Sequence, residues 1–211
     1  MNYNSITTTA LAYADRKDQP VIDMMSYFLL MVESRINRLL VIEDMSNRYR
    51  FPEPNPTDGR YELPADFSAM QDIAIVNMTI PSSRMTLSLL NPEQMNTATN
   101  TTNVDNSKKH FYQVLGNQLI VQPVVVDGTS WLEIVYYGNI IPLNIINTTN
   151  WISDNHPDLY INGLVTEINA FVKDAEATNL WNTRFLQTIQ ELKDADELLV
   201  YSGTPLQVRL G

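Results

Sequence analysis

An α+β fold is what this 211-residue sequence predicts, and three observations predict it. Apolar residues recur at helical spacing through the first 45 or so positions. The middle, residues 46–149, changes to short β-branched and aromatic runs punctuated by Gly116-Asn117 and Asp127-Gly128, dipeptides suited to tight hairpins. Residues 150–202 then return to a helical period, and 203–211 form an extended C-terminal arm.

Thr7 to Ala14 reads as a short helix, with Thr7, Thr8 and Thr9 available as caps. After Pro20 a stronger helix is expected over 21–44, where Met24, Phe28, Met31 or Val32, Ile36, Leu39 and Leu40 keep the period. Phe28 to Val32 is apolar all round, which predicts a helix buried on most faces, by its own fold or by neighbouring subunits. Glu33, Arg35, Asn37 and Arg38 project from the narrower polar side and read as a solvated face.

Pro52, Pro54 and Pro56 mark a turn region that ends at Asp58-Gly59. Strands are expected at Arg60–Leu63, Ile73–Val76 and Met85–Leu90, with a turn at Pro64–Phe67. Asn91 caps and Pro92 opens a short helix, and the Asn/Thr-rich stretch 95–107 reads as an exposed, mobile loop. Phe111–Leu115, Gln118–Val126 and Trp131–Tyr137 read as an antiparallel meander, because connections this short cannot join parallel strands. Its apolar residues lie on both faces, so helices or a second sheet must cover it.

Pro142 closes the strand run, and Asn155, Pro157 and Asp158 supply a cap, a first-turn proline and a first-turn acid for the next helix. Tyr160, Leu164, Ile168 and Phe171-Val172 form one apolar stripe. Beyond a break at 174–178, Trp181, Phe185, Ile189, Leu192 and Leu199 form another, stopped by Gly203 and Pro205. In the last residues Leu206, Val208 and Leu210 alternate with Gln207 and Arg209. Such a segment is either a disordered end or a strand-like arm that docks on a partner.

The net charge of −10 is uneven. Residues 1–50 hold six acids and six bases, whereas 51–149 and 150–211 each hold nine acids and four bases. Arg16-Lys17 and Lys108-Lys109 are the adjacent basic pairs, and neither has basic neighbours, so tight DNA binding is not expected of an isolated subunit. An acidic surface that DNA slides past fits. The absence of cysteine excludes disulfides, thiolate nucleophiles and Cys-ligated metals. The polar start is unlike a signal peptide, and the apolar run 27–32 is too short to span a bilayer, so a soluble, untargeted chain with no membrane partner is expected.

The residues offer little chemistry. His110 and His156 are the two imidazoles, without a metal-ligand spacing or a nucleophile motif beside them. Glu62 and Asp66 flank Pro64, where turn chemistry explains them, and Asp194, Asp196 and Glu197 read as a solvated face. Trp131, Trp151 and Trp181 suit packing better than stacking against sugars. No enzyme activity, metal or cofactor is expected.

Several motifs in order carry a resemblance. They are Glu33-Ser34-Arg35-Ile36-Asn37-Arg38, Tyr61-Glu62-Leu63-Pro64-Ala65-Asp66-Phe67 and Leu89-Leu90-Asn91-Pro92. Leu119-Ile120-Val121-Gln122-Pro123, Leu132-Glu133-Ile134-Val135-Tyr136-Tyr137 and Ile141-Pro142-Leu143 follow, then Asn150-Trp151 and Pro157-Asp158-Leu159-Tyr160. With them the chain resembles the head-to-tail adaptor proteins of short-tailed bacteriophages, the ring-forming connectors below the portal.

The resemblance implies a helical bundle built from both chain ends (1–45 and 150–202) around a β-rich antiparallel insertion (46–149). It also implies a homo-oligomeric ring, typically of twelve, in the virion neck, made in the host cytoplasm. Its partners would be the portal protein, the tail nozzle or tail fibre proteins, and genomic DNA that passes through without sequence-specific binding. The arm residues Gly203, Thr204, Pro205, Leu206, Gln207, Val208, Arg209 and Leu210 would then dock on the portal. Tyr27, Phe28, Met31, Arg35 and Arg38 would pack between subunits. A tail-completion or stopper ring, or a carbohydrate-binding tail component, are the alternative readings.

Overall fold

The computed structural model describes residues 1–52, 58–77, 79, 84–100, 109–124 and 130–202. The fold is α+β. In chain order the elements are α1 (Tyr3–Tyr13), α2 (Gln19–Asp23), α3 (Met25–Leu39), a 3-10 turn (Glu43–Met45), β1 (Ser46–Arg50), β2 (Arg60–Glu62), β3 (Phe67–Asn77), β4 (Arg84–Thr86), β5 (Ser88–Leu89), α4 (Pro92–Asn100), β6 (Phe111–Leu115), β7 (Gln118–Gln122), β8 (Ser130–Gly138), α5 (Trp151–Asn155), α6 (Pro157–Phe171) and α7 (Ala175–Ser202). The chain divides into two compact units, Met1–Asp44 with Ile140–Gly211, and Met45–Asn139.

In the helical unit α6 is central and packs against α1, α3, α5 and α7. Its Leu159, Tyr160, Leu164, Val165 and Ile168 are buried, with Ile6 and Ala10 from α1, Phe28, Val32 and Ile36 from α3, and Phe185 and Ile189 from α7. Gly163 makes the close approach possible, because a Cβ there would lie 2.6 Å from Val32 Cγ1 and 3.2 Å from Phe185.

The helix starts differ from expectation. α1 begins four residues earlier than Thr7, because the Asn2 side chain accepts from the Ser5 N–H and caps it. The helix expected over 21–44 is two, with Met24 ending α2 and opening α3. α5 was not anticipated: a capping box between Asn150 and Ser153 starts it. The proline and acid in the first turn of α6 are as expected, but its N-cap is His156, which makes no side-chain cap bond and instead meets Trp151 edge-on.

The second unit holds two four-stranded sheets, ordered β1-β8-β3-β4 and β2-β7-β6-β5. Leu132, Ile134 and Tyr136 alternate onto the inner face of β8 and join Phe51, Tyr61, Leu63, Ile73, Ile75, Leu119 and Val121 in one apolar cluster drawn from both sheets. β6 and β7 form the hairpin that Gly116-Asn117 predicts. The expected three-strand meander is corrected: β8 belongs to the other sheet, between β1 and β3. The free edge of β7 is taken by β2, and β8 pairs instead with the five residues of β1 and with the longer β3. One pairing, β5 with β6, is parallel.

On the opposite face of β8, Glu133 is buried beneath Arg84 at 2.9 Å, Arg50 at 3.3 Å and Arg48 at 3.9 Å. The Arg50 guanidinium also lies over the Trp131 ring at 4.1 Å. α4 runs to Asn100, so the helix opened by Pro92 takes in part of the Asn/Thr-rich stretch; residues 101–108 lie outside the described residues.

Candidate assembly surface

α3 divides its residues between two faces. Phe28, Leu29, Val32 and Ile36 point into the helical core. Tyr27, Leu30 and Met31 recur on the other side with Arg38 and stand 59 %, 59 % and 50 % exposed, an apolar stripe on a helix whose other face is already satisfied. Beside it runs a groove of about 500 Å³ lined by Tyr3, Tyr27, Leu30, Pro142, Leu143 and Ile145.

Part of the rim of that groove is a loop braced by its own hydrogen bonds. Asn144 Oδ1 accepts from the Ile146 and Asn147 N–H groups, and the Asn147 side chain donates to the Pro142 carbonyl. Held this way, Ile145 and Ile146 are 80 % and 91 % exposed. Preorganised apolar side chains of this kind cost little entropy to bury against a partner.

Three polar residues of α3 hold the loop and the neighbouring helices. Glu33, expected on a solvated face, is buried: its Oε1 accepts from the Leu143 N–H at 2.7 Å and the Tyr160 hydroxyl at 3.2 Å. Burial foremost pushes the Glu33 carboxyl above the usual range, while the Leu143 and Tyr160 bonds pull it back. Burial likewise drives the Tyr160 phenol upward, and its oxygen accepts from the Asn150 side chain. Asn37 accepts from the Ile140 N–H at 2.9 Å.

Arg35 forks between Glu167 of α6 at 3.0 Å and Asn182 of α7 at 2.5 Å, and its guanidinium covers Phe185 at 4.5 Å. The solvated-face reading is therefore wrong for Glu33, Arg35 and Asn37 and right for Arg38. The partners that bury them lie more than a hundred residues away, beyond the reach of local pattern.

Of the five residues expected to pack between subunits, Tyr27, Met31 and Arg38 lie on the exposed stripe. Phe28 is buried and meets Phe171 edge-on, and Arg35 is engaged as described. The sequence reading missed Leu30, Ile145 and Ile146. Leu30 is hidden inside an all-apolar run, and the Asn144–Asn147 loop signal is visible only as two asparagines three apart. The arm residues Gly203 to Leu210 lie outside the described residues.

Elsewhere, three of the residues weighed for chemistry make contacts within their own unit. Asp66 accepts from the Tyr136 hydroxyl at 2.9 Å, Asp196 from the Glu43 N–H at 3.0 Å, and the His110 ring contacts the Pro123 carbonyl at 2.8 Å. Among the described residues no group of three or more His, Asp or Glu is placed to hold a metal, and no helix is long and apolar enough to cross a membrane.

No curated protein matches the chain. The family model described as SU10 adaptor protein matches residues 1–209. With the match running almost end to end, the chain belongs to the SU10 adaptor protein family, bacteriophage structural adaptors of the virion.

Proposed function

We propose that the protein is the head-to-tail adaptor of its phage, a ring in the neck of the virion that joins the portal to the tail nozzle or tail fibres and surrounds the DNA exit channel. The observation that carries this reading is the family match over residues 1–209. In this reading the ring is of about twelve copies, as is typical of the adaptors this chain resembles. Lateral contacts use the Tyr27, Met31 and Arg38 face of α3 with its groove. Residues 203–211 dock on the portal, where the alternation of Leu206, Val208 and Leu210 suits strand-like addition to a partner. The β unit faces the tail.

The net charge of −10 supports a conduit role, since net acidity disfavours a tight grip on phosphates and lets the genome pass, and the three arginines gathered in the β unit already share Glu133. Portal docking and ring closure are coupled: each arm contact is weak, and closure adds them by avidity, so rings form on portals rather than free in solution. Deleting residues 203–211 tests the arm. The truncated chain keeps its circular dichroism and no longer co-sediments with portal; undiminished attachment refutes the assignment.

A further inference from the structure

We infer that the C-terminal end of α7 in one copy seats against the α3 groove of the next copy, so that the lateral contact joins two different surfaces of the same helical unit. This rests on the ring reading above and specifies the partner of the α3 face as a second copy of this chain.

α7 outruns its own support. At 28 residues it is about 42 Å long, against about 22 Å for the 15-residue α6. Of its residues up to 199, Ile189 is the last that is buried. That length exposes Leu198 (73 %) among the exposed acids Glu191, Asp194 and Glu197. The α3 stripe has the complementary character: Tyr27, Leu30 and Met31 are apolar, and Arg38 is the exposed charge of that helix, with Glu33 buried and Arg35 paired.

The apolar parts of the two surfaces lie apart within one copy. The Asp196 carboxylate accepts from the Glu43 N–H, which pins the end of α7 beyond the C-terminal end of α3. Leu30 and Tyr27 lie roughly 14–18 Å back from Leu39 along α3. Like-with-like pairing is poor as well. α7 against α7 would set Glu191, Asp194 and Glu197 against their own copies, and α3 against α3 would leave Arg38 without a counter-charge. Pairing the unlike surfaces covers Leu30 and Leu198 together and brings Arg38 toward acids. A contact between two different patches is heterologous, and it builds a closed ring when its rotation closes.

The chain contains no cysteine, so engineered thiols report without background. Full-length Leu30→Cys and Leu198→Cys chains are assembled with the cognate portal, imaged by negative stain, oxidised and run on non-reducing gels. Met31→Cys with Glu197→Cys is a second pair, so that loss of assembly in one variant does not close the test. The expected result is cross-linking when the two variants are mixed, none in either alone, and a ladder of multimers from the double variant. Homotypic cross-links, or rings without mixed cross-links, overturn the α7-to-α3 contact and leave the ring reading standing. Absence of rings from the unsubstituted chain with portal overturns the ring reading and this inference with it.

Discussion

Replacing Gly163 by alanine sets two effects of opposite sign against each other, and the geometry says which prevails. In an unobstructed helix interior the change would stabilise by about 1 kcal/mol, because alanine loses less backbone freedom than glycine. Here the new Cβ would lie 2.6 Å from Val32 Cγ1, 3.0 Å from Cγ2 and 3.2 Å from Phe185. A helical valine has one strongly preferred χ1, and both of its γ carbons are too close, so no rotation relieves the clash. Overpacking a filled core costs about 1–3 kcal/mol, which leaves a net loss of about 1 kcal/mol for Gly163→Ala.

With Val32→Ala already in place the main obstruction is gone, and Gly163→Ala becomes neutral or stabilising by up to about 1 kcal/mol. The sign of one substitution thus reverses with the identity of its neighbour, a coupling of at least about 1 kcal/mol. Urea unfolding read by tryptophan fluorescence measures it. Trp151 and Trp181 lie in the helical unit and Trp131 in the other, so a Trp131→Phe background confines the signal to the unit concerned. Equal destabilisation in both backgrounds, or stabilisation with Val32 present, would refute the packing described for α3 and α6.

The pH dependence of stability should carry the signature of Glu33. Its carboxyl titrates above the ordinary 4.5 in the folded chain, so above pH 4.5 the unfolded chain releases a proton that the folded chain retains. Stability falls as pH rises through that window, and Glu33→Gln, which keeps an acceptor for the Leu143 N–H, removes this part of the slope. Parallel stability–pH curves for the two proteins would count against a buried, protonation-sensitive carboxylate. In the β unit, Glu133→Ala takes the shared acceptor from Arg84 and Arg50 and should cost about 1–3 kcal/mol, softened because these arginines reach solvent. The Trp131 emission should shift as Arg50 loses its hold; an unchanged midpoint and spectrum would show that the carboxylate is not the anchor.

What the sequence reveals follows the range of the interactions. The β6–β7 hairpin is legible because Gly116-Asn117 and two short flanking runs encode it locally. The two C-terminal helices are legible because Tyr160, Leu164, Ile168, Phe185 and Ile189 repeat at helical spacing and are all buried. β1 is not legible: its Ser46–Arg50 sequence is polar, and it becomes a strand by pairing with β8, some ninety residues on. The same applies to the candidate surface. Tyr27 and Met31 can be read from an over-apolar helix, but its exposed side is decided by which residues α6 covers. The roles of Glu33 and Asn37 depend on where the chain re-enters at Ile140 and Leu143. Ile145 and Ile146 are ordinary apolar residues in sequence and become candidate contacts because Asn144 fixes the loop that presents them.

Native mass spectrometry of the full chain, alone and mixed with the portal protein of the same phage, tests the adaptor role most directly. The expected result is a complex of fixed stoichiometry, a closed ring of this chain on each portal, formed on mixing and absent from the chain alone. A chain whose mass distribution is unchanged by portal would contradict the proposed function.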